Sequence, residues 1–134
     1  MSLDNALSTA RQAVEGCDFV GYVDLELGMM LGFNASEEPS QDFTENLAAG
    51  VVNFLDSGPA VQIESDLRSA TGTEAELAPY FQDIVVGGTD GLHLYLRLES
   101  EPNHVVCFVC GFATDPAGAL HAARAAVAEF SGLV

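Results

Sequence analysis

Gln82-Asp-Ile-Val-Val-Gly-Gly-Thr-Asp-Gly-Leu-His-Leu-Tyr-Leu-Arg-Leu-Glu-Ser-Glu-Pro-Asn-His-Val-Val-Cys-Phe-Val-Cys110 reads as three strands joined by two tight turns. Gln82 to Val86 is a short strand. Gly87 to Gly91 turns the chain, with Asp90-Gly91 the pair that type I′ hairpins favour. Leu92, Leu94, Leu96 and Leu98 then alternate with His93, Tyr95, Arg97 and Glu99, which predicts a half-buried strand. Glu99 to Asn103 turns again around Pro102. Val105 to Cys110 is apolar at every position and predicts a central strand covered on both sides.

Upstream, Leu3 to Glu15 has helical periodicity. Leu3, Ala6, Leu7, Ala10, Ala13 and Val14 fall in an arc of roughly 120°, with Ser2 placed to cap the helix and Gly16 to end it. Phe19 to Leu27 alternates as a strand, Gly28 turns, and Met29 to Phe33 returns. Asp42 with Glu45 resembles a capping box opening a helix that runs to about Asp56, where Ser57-Gly-Pro59 stops it. Phe43, Leu47, Ala48, Val51, Phe54 and Leu55 cover an arc of about 140°, widened by Val52 to roughly 180°. That is broader than one sheet contact requires, so a second buried contact is expected. Val61 to Arg68 reads as a short helix, Ser69 to Thr73 as a loop, and Thr73 with Glu76 as a further cap leading to Leu77, Tyr80 and Phe81.

Downstream, Asp115 caps a last helix with Pro116 at its first position. Ala119, Leu120, Ala123, Ala126, Val127 and Phe130 form its apolar stripe, His121 lies opposite, and Gly132 ends it. The order is helix, hairpin, helix, three-strand meander, helix. An antiparallel sheet of about five strands with helices on both faces fits it best. The 134 residues make one domain's worth of α/β (α+β) chain.

The 20 acidic residues face 4 arginines and no lysine, for a net charge of −16. Binding to nucleic acid or to an anionic membrane needs cations that this chain lacks. An electrostatically steered partner should instead be basic. Absent lysine excludes a Schiff base and a phosphate-loop lysine. No apolar run reaches the ~18–20 residues of a membrane span, and Met1 to Gly16 lacks signal-peptide order, so a cytoplasmic protein is expected.

No catalytic, metal or cofactor constellation emerges. Cys107-Phe-Val-Cys110 matches C-x-x-C, but residues three apart in a strand point to opposite faces, so these are expected as buried thiols. Cys17 supplies no second such motif. His93, His104 and His121 follow no ligand spacing. Glu37/Glu38, Glu74/Glu76 and Glu99/Glu101 lie in or beside loops and read as solvated charge. Asn34-Ala-Ser36 matches a glycosylation sequon without meaning in a cytosolic chain, and no G-x-S-x-G elbow is present. Gly87, Gly88 and Gly91 join two strands and not a strand to a phosphate-binding helix.

The order of elements resembles the roadblock / dynein light chain family. The stretches that carry the likeness are Val20 to Phe33, Ile84 to Leu96 and Leu120 to Val127, and it extends over nearly the whole chain. Pro59 to Tyr80 then reads as an insertion before the third strand. The resemblance implies a profilin-like α/β/α sandwich that pairs as a homodimer and binds proteins without catalysis. Members act as scaffolds or regulators of small Ras-like GTPases, or as motor-complex adaptors. Carried onto this chain, the dimer contact would use Leu47, Val51 and Phe54 of the middle helix and Ile84 and Val86 of the third strand. The alternatives are an effector-binding protein like the type III secretion chaperones, also small, acidic and dimeric, and a small hydrolase or thiol enzyme.

Overall fold

The computed structural model describes residues 2–71, 81–89, 91–111 and 114–133. The elements are α1 (Leu3–Ala13), β1 (Cys17–Asp24), β2 (Met29–Ala35), α2 (Gln41–Asp56), α3 (Gly58–Thr71), β3 (Asp83–Gly87), β4 (Gly91–Arg97), β5 (His104–Gly111) and α4 (Pro116–Val127), which ends in a 3-10 turn at Ala128–Phe130. The five strands form one antiparallel sheet in the order β2-β1-β5-β4-β3. The mixed α/β architecture and the central place of β5 agree with the sequence reading.

One face of the sheet is covered by α1 and α4. Val20 and Tyr22, Leu92 to Leu98 at alternate positions, Val106, Phe108 and Cys110 meet Leu7, Ala10, Ala123 and Phe130 there. The other face is covered by α2, whose Leu47, Ala48, Val51 and Leu55 pack on Phe19, Val23, Tyr95, Val105 and Cys107. With both faces covered, β1 and β4 are buried on both sides. The expectation that β4 is half-buried fails for this reason. Tyr95 and Arg97, polar in pattern, lie under α2.

Caps and turns explain the boundaries. Ser2 Oγ accepts from Asn5 N at 3.1 Å, and Asp115 Oδ2 from Gly118 N at 3.1 Å, both at the expected caps. For α2 the cap is Ser40, accepting from Phe43 N, two residues before the expected Asp42. Asp42 sits in the first turn, where its charge favours the helix dipole. Ser57 ends α2 and also starts α3. Its carbonyl accepts from Val61 N and its hydroxyl from Ala60 N. Gly58-Pro59 therefore opens a helix as well as closing one, because proline is tolerated in a first turn. The helix extends to Thr71 and so includes Ser69, Ala70 and Thr71, where a loop was expected; residues 72 and 73 lie outside the described residues.

β1 stops at Asp24 and not at Leu27. Asp24 Oδ1 accepts from Glu26 N and Leu27 N, and Gly28 takes a φ of 68° to close the turn. In the β3–β4 hairpin, Gly88 N donates to Gly91 O and Gly87 pairs with Leu92. Gly91 is required by close approach: a Cβ there would meet Cys110 O at 2.5 Å. Gly91 belongs to β4, and Asp90 of the expected Asp90-Gly91 turn lies outside the described residues. The expected cap at Thr73 and Glu76, with Leu77 and Tyr80, also lies outside them.

Candidate functional site

β3 is an edge strand. It pairs with β4, and among the described residues no strand lies on its other side. Arg97 N donates to Gln82 O, and Gly88 N to Gly91 O. These bonds mark 82:97 and 88:91 as hydrogen-bonded pairs. The alternation of an antiparallel ladder then makes 84:95 and 86:93 bonded and turns the peptide groups of Asp83, Val85 and Gly87 outward.

Side chains alternate oppositely. Ile84 and Val86 lie half-buried on the α2 face, and Val85 is exposed on the α4 face. Beside them, His93 Nδ1 and Tyr95 Oη on β4 are 2.9 Å apart. Phe54 of α2 packs on Tyr95, with centroids 5.8 Å apart, yet is 47% exposed. Phe54, Ile84, Val86 and His93 thus form a partly covered apolar surface continuous with the open strand edge. Burial alone lowers the His93 pKa, which favours neutral imidazole here. Burial, then Cys107, pushes the Tyr95 phenol up to about 12.

The residues named from the sequence divide into two groups. Leu47 and Val51 face the protomer's own sheet, and Val51 is 0% exposed. Their share of the wide apolar arc is consumed inside the protomer. Phe54, Ile84 and Val86 stand together at the surface. The arc is wide partly because α2 also contacts α3 and β2, and because Phe43 packs edge-on to Phe19 of β1 at 5.4 Å.

Arg97 escaped the sequence reading. It donates from Nε to Phe81 O at 2.7 Å, from Nη1 to Pro102 O at 2.9 Å and from Nη2 to Leu55 O at 2.8 Å. The Leu55 carbonyl is among the last of α2, where a cation also meets the negative end of the helix dipole. Burial lowers the Arg97 pKa, opposed by Glu64 and Asp56. This one side chain ties the end of α2 to β4, the 99–103 turn and the entry of β3, and so positions the partly covered surface.

Tyr22 Oη and His104 Nδ1 are 2.7 Å apart, and His104 Nε2 lies 3.5 Å from Asp24 Oδ2. The resemblance to a proton relay ends at the phenol. Burial, then Glu101 and Asp24, pushes it up to about 12, so it stays protonated at neutral pH. Cys107 is wholly buried and its thiol is pushed up to about 12 by burial. Cys107 and Cys110 face opposite sides of the sheet, as expected. Among the described residues no three His, Cys, Asp or Glu side chains are placed to hold a metal, and no helix is long and apolar enough to cross a membrane. His121 is exposed, as expected.

No protein-family sequence model matches the chain, and no curated protein matches it in sequence. Solved structures do match it in fold. The roadblock/LC7 domain of Streptomyces avermitilis is 16% identical, over 97% of this chain and 95% of that one, with a TM-score of 0.65. The gliding protein MglB of Thermus thermophilus is 14% identical, over 97% and 86%, with a TM-score of 0.69. An MglB described in a tetrameric arrangement is 13% identical, over 97% and 85%, with a TM-score of 0.71. The class is that of α/β/α sandwiches built on one antiparallel sheet. Within it, the chain has the roadblock/LC7–MglB fold across nearly its whole length.

Proposed function

We propose that the chain is a non-enzymatic, homodimeric protein-binding module that serves in the cytoplasm as a scaffold or regulator of a small Ras-like GTPase. The observation that carries the reading is the surface at Phe54, Ile84 and Val86, which runs into a strand edge with outward peptide groups at Asp83, Val85 and Gly87. An apolar patch beside an unpaired edge favours a second strand and a second helix. Two copies related by a twofold axis satisfy both needs at once, because antiparallel edges are self-complementary. The likeness to roadblock/LC7 and MglB structures supports a protein-binding role, and the roadblock resemblance points to GTPases as partners. The net charge of −16 favours a basic docking surface on that partner.

Two measurements test the reading. Sedimentation at micromolar concentration should give about twice 14.1 kDa. Affinity purification from the native host in the presence of a non-hydrolysable GTP analogue should retain a small GTPase. A monomer mass throughout that range would remove the dimer. Retention of partners that include no GTPase would remove the regulatory role.

A further inference from the structure

Cys17 and Cys110 are far apart in sequence and belong to no common motif, yet they are direct partners in the register of β1 and β5. Gly111 N donates to Gly16 O at 2.9 Å, so 16:111 is hydrogen-bonded and 17:110 is the adjacent non-hydrogen-bonded pair. Such pairs hold their Cα atoms about 4.5 Å apart, with side chains at closest approach. Disulfides need a Cα separation of roughly 4.4–6.8 Å. The register shift between Cys17 and Phe19 turns Cys17 to the α1/α4 face, where Cys110 also points. Both thiols are free and buried, and Cys17 Sγ also donates to Phe19 O at 3.2 Å.

From this geometry we propose that Cys17 and Cys110 are an oxidisable dithiol that hydroperoxides convert to an intramolecular disulfide across β1 and β5. Cys17 is the attacking sulfur. It sits at the start of β1 and is 7% exposed, against 2% for Cys110. Its sequence neighbour Gly16 and the Cys110 neighbour Gly111 line a cavity of about 570 Å³ with Ala13, Glu15 and Thr114. The hydrogen bond from Cys110 lowers the Cys17 pKa against burial, while the same bond and burial raise that of Cys110. Of the two sulfurs, Cys17 is therefore the more readily deprotonated.

The steps balance. Cys17 thiolate attacks one peroxide oxygen. An S–O bond forms, the O–O bond breaks, and the other oxygen leaves and takes up a proton as water or alcohol. Cys17 is now a sulfenic acid. Cys110 sulfur then attacks Cys17 sulfur, the S–S bond forms, the S–O bond breaks, and hydroxide leaves with the Cys110 proton as water. Two thiols lose two electrons and one hydroperoxide is reduced. The product joins the start of β1 to the end of β5 in the reduced arrangement of strands.

The test uses the whole purified chain, fully reduced, then treated with hydrogen peroxide, denatured and alkylated with a maleimide. The expected result is one alkylated thiol in place of three, a mass lower by two hydrogens before alkylation, and a peptide linking Cys17 to Cys110. The Cys107→Ser variant should still form the link, whereas Cys17→Ser and Cys110→Ser should not. The oxidised wild type should melt several degrees higher, reversibly with dithiothreitol. Three alkylated thiols after peroxide would overturn the proposal. So would oxygen retained on one sulfur, or a link that involves Cys107 or a second chain.

Discussion

Arg97 is one of four cations in a chain with 20 acidic residues, and it donates to three backbone carbonyls. Hydrogen bonds from a charged donor are each worth about 1.5–3 kcal/mol, and a buried carbonyl left unpaired costs further. Arg97→Met keeps the stem and removes all the donors. It should lower unfolding stability by about 4–5 kcal/mol, read as a reduced denaturant midpoint. Val51 and Phe54 make a sharper pair, because they share a helix and differ in what covers them. Val51 is fully enclosed by its own protomer, so Val51→Asp places an unpaired charge in the core and should unfold the chain. Phe54 is 47% exposed, so Phe54→Glu should leave circular dichroism unchanged and yield a monomer in sedimentation. A folded dimer for Phe54→Glu would move the association surface elsewhere.

At the scale of the element, β3 invites a test based on alternation. The Val85 N–H points away from β4, whereas that of Val86 belongs to the bonded 86:93 pair. Proline removes a donor and is tolerated on an edge strand when that donor faces outward. Val85→Pro should therefore keep the fold and abolish edge-to-edge association. Val86→Pro deletes a ladder bond and should destabilise the protomer by about 1–3 kcal/mol. Thermal melts and sedimentation of the two variants separate these effects. If Val85→Pro still dimerises with wild-type affinity, association does not use the strand edge. The same logic of position explains α3. Ser57 serves both helices, and Glu64 Oε1 accepts from Phe81 N at 3.4 Å, which tethers the extra helix near the entry to β3.

For the whole molecule, net charge decides how association responds to salt. Each protomer carries −16, so two copies repel. Screening shortens the reach of that repulsion from about 10 Å at 0.1 M salt to about 3 Å at 1 M. Self-association should therefore tighten several-fold over that range. Binding to a basic partner should weaken over the same range, because the sign of the interaction is opposite. Measuring both dissociation constants against salt checks the assignment of the two surfaces. A partner affinity that rises with salt would exclude an electrostatically steered basic surface.

The sequence by itself determined the elements and the layering. Alternation at Leu92 to Leu98, the unbroken apolar run at Val105 to Cys110 and the Asp115-Pro116 cap are local signals, and local backbone physics obeys them. The reading of α2 as an element with apolar demand beyond one sheet contact was also legible, since periodicity reports how much surface a helix must bury. Which residues meet that demand was not. Only tertiary packing decided that Val51 is enclosed while Phe54 stays open, because both lie on one arc and differ only in what stands opposite. Arg97 and Tyr95 read as solvent-facing for the same reason: alternation shows two faces but not whether a second layer covers the polar one. The pairing of Cys17 with Cys110 was equally hidden. It depends on strand order and on a register shift, and both arise from contacts between segments at opposite ends of the chain.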